Sequence, residues 1–331
     1  MKPETIRTEV ANMKKIALVG LILALCLCFT ACDNNGKTSS NSSNTLSDDL
    51  SKGAGDLSDD ISRGASDLSD DISDGLSDLS PDKDSTSSSR PASTKPAEIN
   101  TEVLNKLDNT KQGWGQGVNL DEFNRPTGCL QFQEKYGKYD AYYIGKKTKT
   151  IYLTFDEGYE NGYTAKILDT LKEKKVPAVF FVTYDYCNRN ADLVKRMISE
   201  GHVVGNHSWS HPSMPTVSLE SAKDEIVKLH NYVKTNFGYE MTLFRPPMGE
   251  FSERTLAMTQ QLGYKSVFWS YAYKDWDPDA QIGAEAAYQK VTKAEHEGAI
   301  YLLHAVSKDN TEILGRVIDD MKSKGYSFDT L

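Results

Sequence analysis

The chain of 331 residues is short of cysteine, of excess positive charge and of long apolar runs, and each shortage narrows what it can be. Cysteine occurs five times; Cys26, Cys28 and Cys32 crowd the N-terminus, which leaves Cys129 and Cys187 for everything else. No C-x-x-C spacing occurs, so a cysteine-based metal site is unsupported, while pairing of the last two stays open. The net charge is −9 with no basic stripe, which argues against nucleic acid as a partner. A single long apolar run exists, IALVGLILALCLCFTAC after Met13-Lys14-Lys15, and it has the length of a signal peptide rather than of a full span. Residues 33–98 are poor in aromatics and rich in Ser, Asp, Gly and Lys, a composition that cannot bury enough surface to fold.

The apolar run ends in Phe29-Thr30-Ala31-Cys32, which resembles the lipobox of bacterial lipoproteins, with Phe29 where leucine is usual. That resemblance implies lipidation of Cys32 after cleavage, a membrane anchor and an extracytoplasmic location; an ordinary secretory signal or an uncleaved anchor is the alternative. Next comes an eleven-residue repeat, LSDDLSKGAGD, LSDDISRGASD, LSDDISDGLSD. Its apolar positions 46, 50, 57, 61, 68 and 72 make one narrow helical stripe, but Gly53, Gly55, Gly64 and Gly75 each weaken a helix by about 1 kcal/mol. The repeat reads as a spacer, with an association module as the alternative. The expected organisation is a leader over 1–32 (working start Met13), a linker over 33–98, a flanking region over 99–147 packed on the catalytic domain, and that domain over 148–331.

From about residue 149, short β-rich runs alternate with longer amphipathic ones. Strands are predicted over 149–155, 177–183, 202–205, 242–244, 264–270, 299–303 and 325–329, with helices near 162–174, 190–200, 218–236, 252–262, 282–296 and 308–324. Seven strands with a helix in nearly every gap imply parallel strands and crossovers, an α/β fold as barrel or open sheet.

The strand ends carry the chemistry. IYLTF runs into Asp156-Glu157, HVVGN into His207, MTLF into Arg245, VFWSYAYK into Asp275 and AIYLL into His304. In a βα barrel those ends share one face, where catalytic groups gather. His207 and His211, four apart, are expected on one face of a helical turn, able to present two imidazoles to one divalent ion. Of the acidic pair, one carboxylate could ligate that ion while the other stays free as a base, the cation relieving their repulsion. Taken alone, Asp156-Glu157-Gly158 would read as a surface turn. His202 and His230 read as surface or core residues, and His296 as an exposed residue near a helix end.

TFDEGY, HSWSHP, RPPMG, KDW and LLH, in this order over roughly 148–331, resemble the five motifs of the NodB-type polysaccharide deacetylases, carbohydrate esterase family 4. YLTFDEGYENGYT, GNHSWSHPSM, FRPPMGEFSERTL and the flanking WGQGVN look closest to the muramic-acid deacetylases that form the δ-lactam of spore cortex. The resemblance implies a distorted, TIM-like (β/α)7 barrel and metal-assisted N-deacetylation of peptidoglycan, with zinc first and manganese or cobalt as alternatives. It implies Asp156 as general base held by Arg245, His304 as general acid oriented by Asp275, and Glu157, His207 and His211 as metal ligands. Tyr159, Pro247, Met248, Gly249 and Trp276 would contact substrate, with the Met248 N–H as oxyanion donor. The family usually has aspartate where Glu157 stands, so its reach to a metal is in question. A monomer is expected. The competing readings are a non-hydrolytic glycan binder on the same barrel, a deacetylase of another envelope polysaccharide and a structural lipoprotein.

Overall fold

The computed structural model describes residues 98–331; the leader, Cys32 and the eleven-residue repeat lie outside them. Among the described residues no helix is long and apolar enough to cross a membrane.

The elements in chain order are α1 (Thr101–Leu104), β1 (Gln112–Gly113), α2 (Thr127–Tyr136), β2 (Ala141–Tyr142), β3 (Thr150–Glu157), α3 (Thr164–Lys174), β4 (Val179–Val182), α4 (Tyr184–Arg189) and α5 (Ala191–Ser199). There follow β5 (Val203–Asn206), α6 (Leu219–Phe237), β6 (Leu243–Phe244), β7 (Glu250–Phe251), α7 (Glu253–Gln261), β8 (Lys265–Val267), α8 (Ala284–Lys293), β9 (Ala299–His304), α9 (Lys308–Ser323) and β10 (Ser327–Phe328).

All seven predicted strands form, and all run parallel in one curled sheet. β9 and β4 pair with β3, then β5, β6 and β8 continue the curl; β10 pairs with the start of β3. A bridge between Tyr271 and Tyr301 brings the chain after β8 back to β9 and closes the curl. The flank adds β2 beside β8 and the short antiparallel pair β1–β7.

Local sequence accounts for the helices. α6 starts at Ser218, whose side chain accepts from the Ser221 N–H, and stops at Gly238 in the left-handed conformation. Its buried residues Ala222, Ile226, Leu229 and Val233 recur at steps of four and three, one face turned to the sheet. β4, Val-Phe-Phe-Val, is buried throughout, as a parallel strand covered on both faces must be.

The core has three parts. Leu153 and Phe155 pack with Ile167, Leu168 and Leu171 between sheet and helices. Tyr152, Val179, Phe181, Leu243, Val267 and Ile300 fill the inside of the curl. Trp114, Tyr136, Tyr143, Phe251, Phe268 and Trp269 form an aromatic cluster joining the flank to the sheet. Each such side chain contributes about 1.5–3 kcal/mol by leaving water. Cys129 and Cys187 are buried and unpaired, and burial pushes both thiols up to about 12.

Candidate active site

The ladder sets the first distance in the site. Asp156 on β3 and His304 on β9 are direct partners in the parallel pairing, so their side chains leave the same face of adjacent strands. Asp156 and His304 line one cavity of about 570 Å³ together with His207, His211, Met248, Gly249 and Trp276.

Arg245 follows β6 and is wholly buried. Its Nη1 donates to Asp156 Oδ1 at 2.6 Å, while Nε and Nη2 donate to the carbonyls of Val267 and Phe268 at 3.0 and 3.2 Å. The guanidinium also lies 4.2 Å from the centre of the Phe181 ring. That ring has room because residue 205 is glycine: a Cβ there would sit 2.5 Å from the ring. Burial alone would raise the Asp156 carboxyl; Arg245, then His207 and His304, outweigh it and hold the group below the ordinary range.

On the other side, Asp275 is buried and accepts from His304 Nδ1 at 2.7 Å and from the His304 backbone N–H at 2.9 Å. Asn310 Nδ2 donates to the same carboxylate at 2.6 Å, and Tyr273 donates to Asn310 Oδ1. Burial would push the His304 imidazole down, yet the hydrogen bond and charge of Asp275 raise it, so the ring keeps its proton above the usual histidine value. The Trp276 ring lies 5.8 Å from the His304 ring, half exposed at the cleft.

The histidine pair meets, though in a different conformation from the one expected. Residues 207–211 form a loop, with Ser208 and His211 left-handed at φ 70° and 61°. Glu225 holds the loop, its backbone carbonyl accepting from the Trp209 N–H and its carboxylate from Ser210, and Trp209 stacks on Tyr184. The two Nε2 atoms nevertheless lie 3.2 Å apart, and His207 Nε2 is 3.6 Å from Asp156 Oδ2. His207 Nδ1 donates to the Arg245 carbonyl at 2.9 Å, which leaves the Nε2 lone pair facing its neighbour. Burial lowers His207 to about 4 and lowers His211 as well, so the two neutral imidazoles meet through their Nε2 atoms, and with each Nε2 left unprotonated the pair could take a divalent cation.

Glu157 does not join them. β3 runs two residues beyond the predicted end at 155, so strand alternation turns Glu157 away from Asp156, onto the face of Phe155. Its carboxylate is fully buried and lacks a hydrogen-bond partner among the described residues, and burial, with Glu160 and Asp156 adding, raises it well above the ordinary range. Among the described residues no group of three or more His, Cys, Asp or Glu side chains is placed to hold a metal. The imidazole pair therefore fits a metal, and the carboxylate expected to complete it does not.

Pro247 is buried in its loop and Tyr159 is half exposed; neither lines the cavity. Met248 does, in a left-handed conformation (φ 58°, ψ 9°) that costs a non-glycine residue about 1 kcal/mol. His296, expected exposed, is buried, with Nε2 at 2.8 Å from Ser270 Oγ and Nδ1 at 2.8 Å from the Ala294 carbonyl. Sequence reasoning missed Asn310, six residues past His304 behind the helix cap Ser307, and the cleft-wall residues Gly115 and Gln116.

The curled (β/α)7 sheet thus carries, at the ends of its strands, a carboxylate held by an arginine, an imidazole held by a carboxylate and a histidine pair. The chain matches the polysaccharide deacetylase family over residues 144–267. It is 47% identical over 208 residues to the peptidoglycan-N-acetylmuramic acid deacetylase PdaA of Bacillus subtilis, over 62% of this chain and 79% of that one. It is 49% identical over 220 residues to an uncharacterized 30.6 kDa protein of Geobacillus stearothermophilus, over 66% of this chain and 83% of that one. The solved structure of B. subtilis PdaA, a family 4 carbohydrate esterase, gives a TM-score of 0.65 at 43% identity, over 68% of this chain and 96% of that one. This chain belongs to the polysaccharide deacetylase family and is a hydrolase acting on amide carbon–nitrogen bonds.

Proposed function

We propose that the protein removes the N-acetyl group from sugars of peptidoglycan, with muramic acid as its sugar and a lipid on Cys32 holding it at the outer face of the membrane. One observation carries the reading: a carboxylate held ionised by Arg245 and an imidazole held protonated by Asp275 face the same cavity from adjacent strands. A pure glycan binder has no use for both. The similarity to PdaA, named for muramic acid, supports the choice of sugar.

Deacetylases of this family are generally metal-dependent. Here His207 and His211 would hold the ion, zinc first, with manganese or cobalt as alternatives; when bound it polarises the amide carbonyl and acidifies water. Asp156 takes the proton from the attacking water, and Arg245 keeps it ionised to do so. Met248 presents its backbone N–H to the oxygen on which charge develops. As the C–N bond breaks, His304 gives its Nε2 proton to the departing nitrogen, while Asp275 on Nδ1 steadies the ring. Acetate and a free sugar amine result. In muramic acid that amine stands near the lactyl carboxylate, ready for δ-lactam closure.

A second reading, glycan binding without hydrolysis, is favoured by the displaced Glu157 and by likeness to a family 4 pseudoenzyme from Bacillus anthracis (TM-score 0.54, 27% identity). Acetate release from peptide-free glycan strands, measured on the full chain with zinc, manganese or cobalt, decides between them. Hydrolysis that Asp156→Asn abolishes supports the enzyme; binding without acetate from either form supports the binder.

A further inference from the structure

We propose that residues 112–117, which precede the family-matched segment, clamp the catalytic cleft, with Trp114 and Gln116 as its positioning residues. The inference rests on the deacetylase reading above. Two loops line the cleft: 246–249 after β6, carrying Met248, and 269–276 after β8, carrying Asp275. Among the described residues no hydrogen bond joins these loops directly; the strap holds both.

Its grip on the first loop is backbone to backbone. β1 pairs with β7 through Gln112 with Phe251 and Gly113 with Glu250, and the Trp114 N–H donates to the Gly249 carbonyl at 3.0 Å. Its grip on the second is by side chains. Trp114 Nε1 donates to the Trp269 carbonyl at 3.0 Å, and Gln116 Nε2 donates to the Ala272 carbonyl at 2.9 Å. Gln116 Oε1 accepts from Trp269 Nε1 at 3.1 Å. Trp114 is buried against Phe132, Tyr143 and Phe268, so the strap is anchored from behind.

Gly249, at φ +66°, closes the arrangement, because a Cβ there would lie 2.7 Å from the Trp269 ring and 3.3 Å from Trp114 Cβ. A left-handed methionine persists only where its surroundings fix it, and the strap holds the carbonyl of the next residue, Gly249. Releasing the strap lets the 248 peptide relax and withdraws the N–H offered to the reacting oxygen. A displacement of about 1 Å in such a group costs up to 100-fold in rate.

The test uses Trp114→Phe, which keeps a ring but loses the indole N–H, and Gln116→Ala, both in the full chain. Each is expected to lower kcat 10- to 100-fold while KM stays within about twofold. Met248→Gly introduced into Trp114→Phe is expected to recover part of the lost kcat, since glycine holds positive φ without help. A purely structural role for Trp114 gives no such recovery. If Trp114→Phe fails to fold, Gln116→Ala decides alone. Wild-type kcat in Gln116→Ala, or loss in Trp114→Phe without recovery by glycine, overturns the clamp. A wild-type chain that releases no acetate overturns the deacetylase reading instead.

Discussion

Asp156 and Glu157 are neighbours in sequence and opposites in environment. Asp156 faces the cleft, is gripped by Arg245 and is held ionised; Glu157 faces the helices, finds no hydrogen-bond partner among the described residues and is driven toward its protonated form. One step along a β-strand separates a carboxylate that faces the cleft from one that is buried behind the sheet. Chemistry here follows the face a residue occupies, and residue type alone says little.

The sharpest way to break the contrast is to strip Asp156 of its partner. Arg245→Met leaves a nearly buried carboxylate uncompensated; kcat should fall at least 1000-fold, and stability by about 3–5 kcal/mol in denaturant titration. Asp275→Asn comes next. The wild-type profile of kcat against pH should fall on the acid side as Asp156 is protonated, below the usual carboxylate range. It should fall on the alkaline side as His304 loses its proton, above the usual histidine range. Asp275→Asn removes what raises His304, so the alkaline limb should move to lower pH with kcat about 100-fold down; an unmoved limb would take His304 out of the acid role.

Gly205→Ala acts more softly, by driving the Phe181 ring off the Arg245 guanidinium. A loss of about 1–3 kcal/mol in thermal unfolding is expected, with some activity kept. Glu157→Gln is the mildest. A carboxyl whose folded pKa is raised stabilises the fold below its unfolded value of 4.5 and loses that contribution as pH rises through the folded one. The Gln form should therefore melt higher than wild type at pH 8 and close to it at pH 4, with kcat and zinc affinity within about twofold. Loss of zinc affinity in this variant would return Glu157 to the ligand set.

The same pair shows what was legible beforehand. Parallel β/α alternation and the polar residues at the strand ends follow from apolar periodicity, and all seven strands formed, with ends that differ by at most three residues from those expected. The side taken by Glu157 hung on whether β3 stopped at Phe155 or ran two residues further, and strand ends are set by pairing with β4, where Glu157 meets Val182. The 207–211 loop was misread as a helical turn because the groups that shape it, Glu225 and Tyr184, are distant in sequence. His296 looked like a helix end, yet the Ser270 hydroxyl holds it inside. The strap was invisible for the same reason, since its partners lie 153 to 156 residues away.

Because Asp156 and His304, the proposed base and acid, stand on paired positions of neighbouring strands, their backbone spacing is set by the main chain, about 4.8 Å between strands. Substitutions around the cleft can change which sugar enters without disturbing the spacing between these two groups. Only a slip of β3 against β9 would alter that gap, and such a slip would invert every buried side chain on the strand. Altered substrate range should therefore arise readily in this scaffold, and altered reaction type rarely.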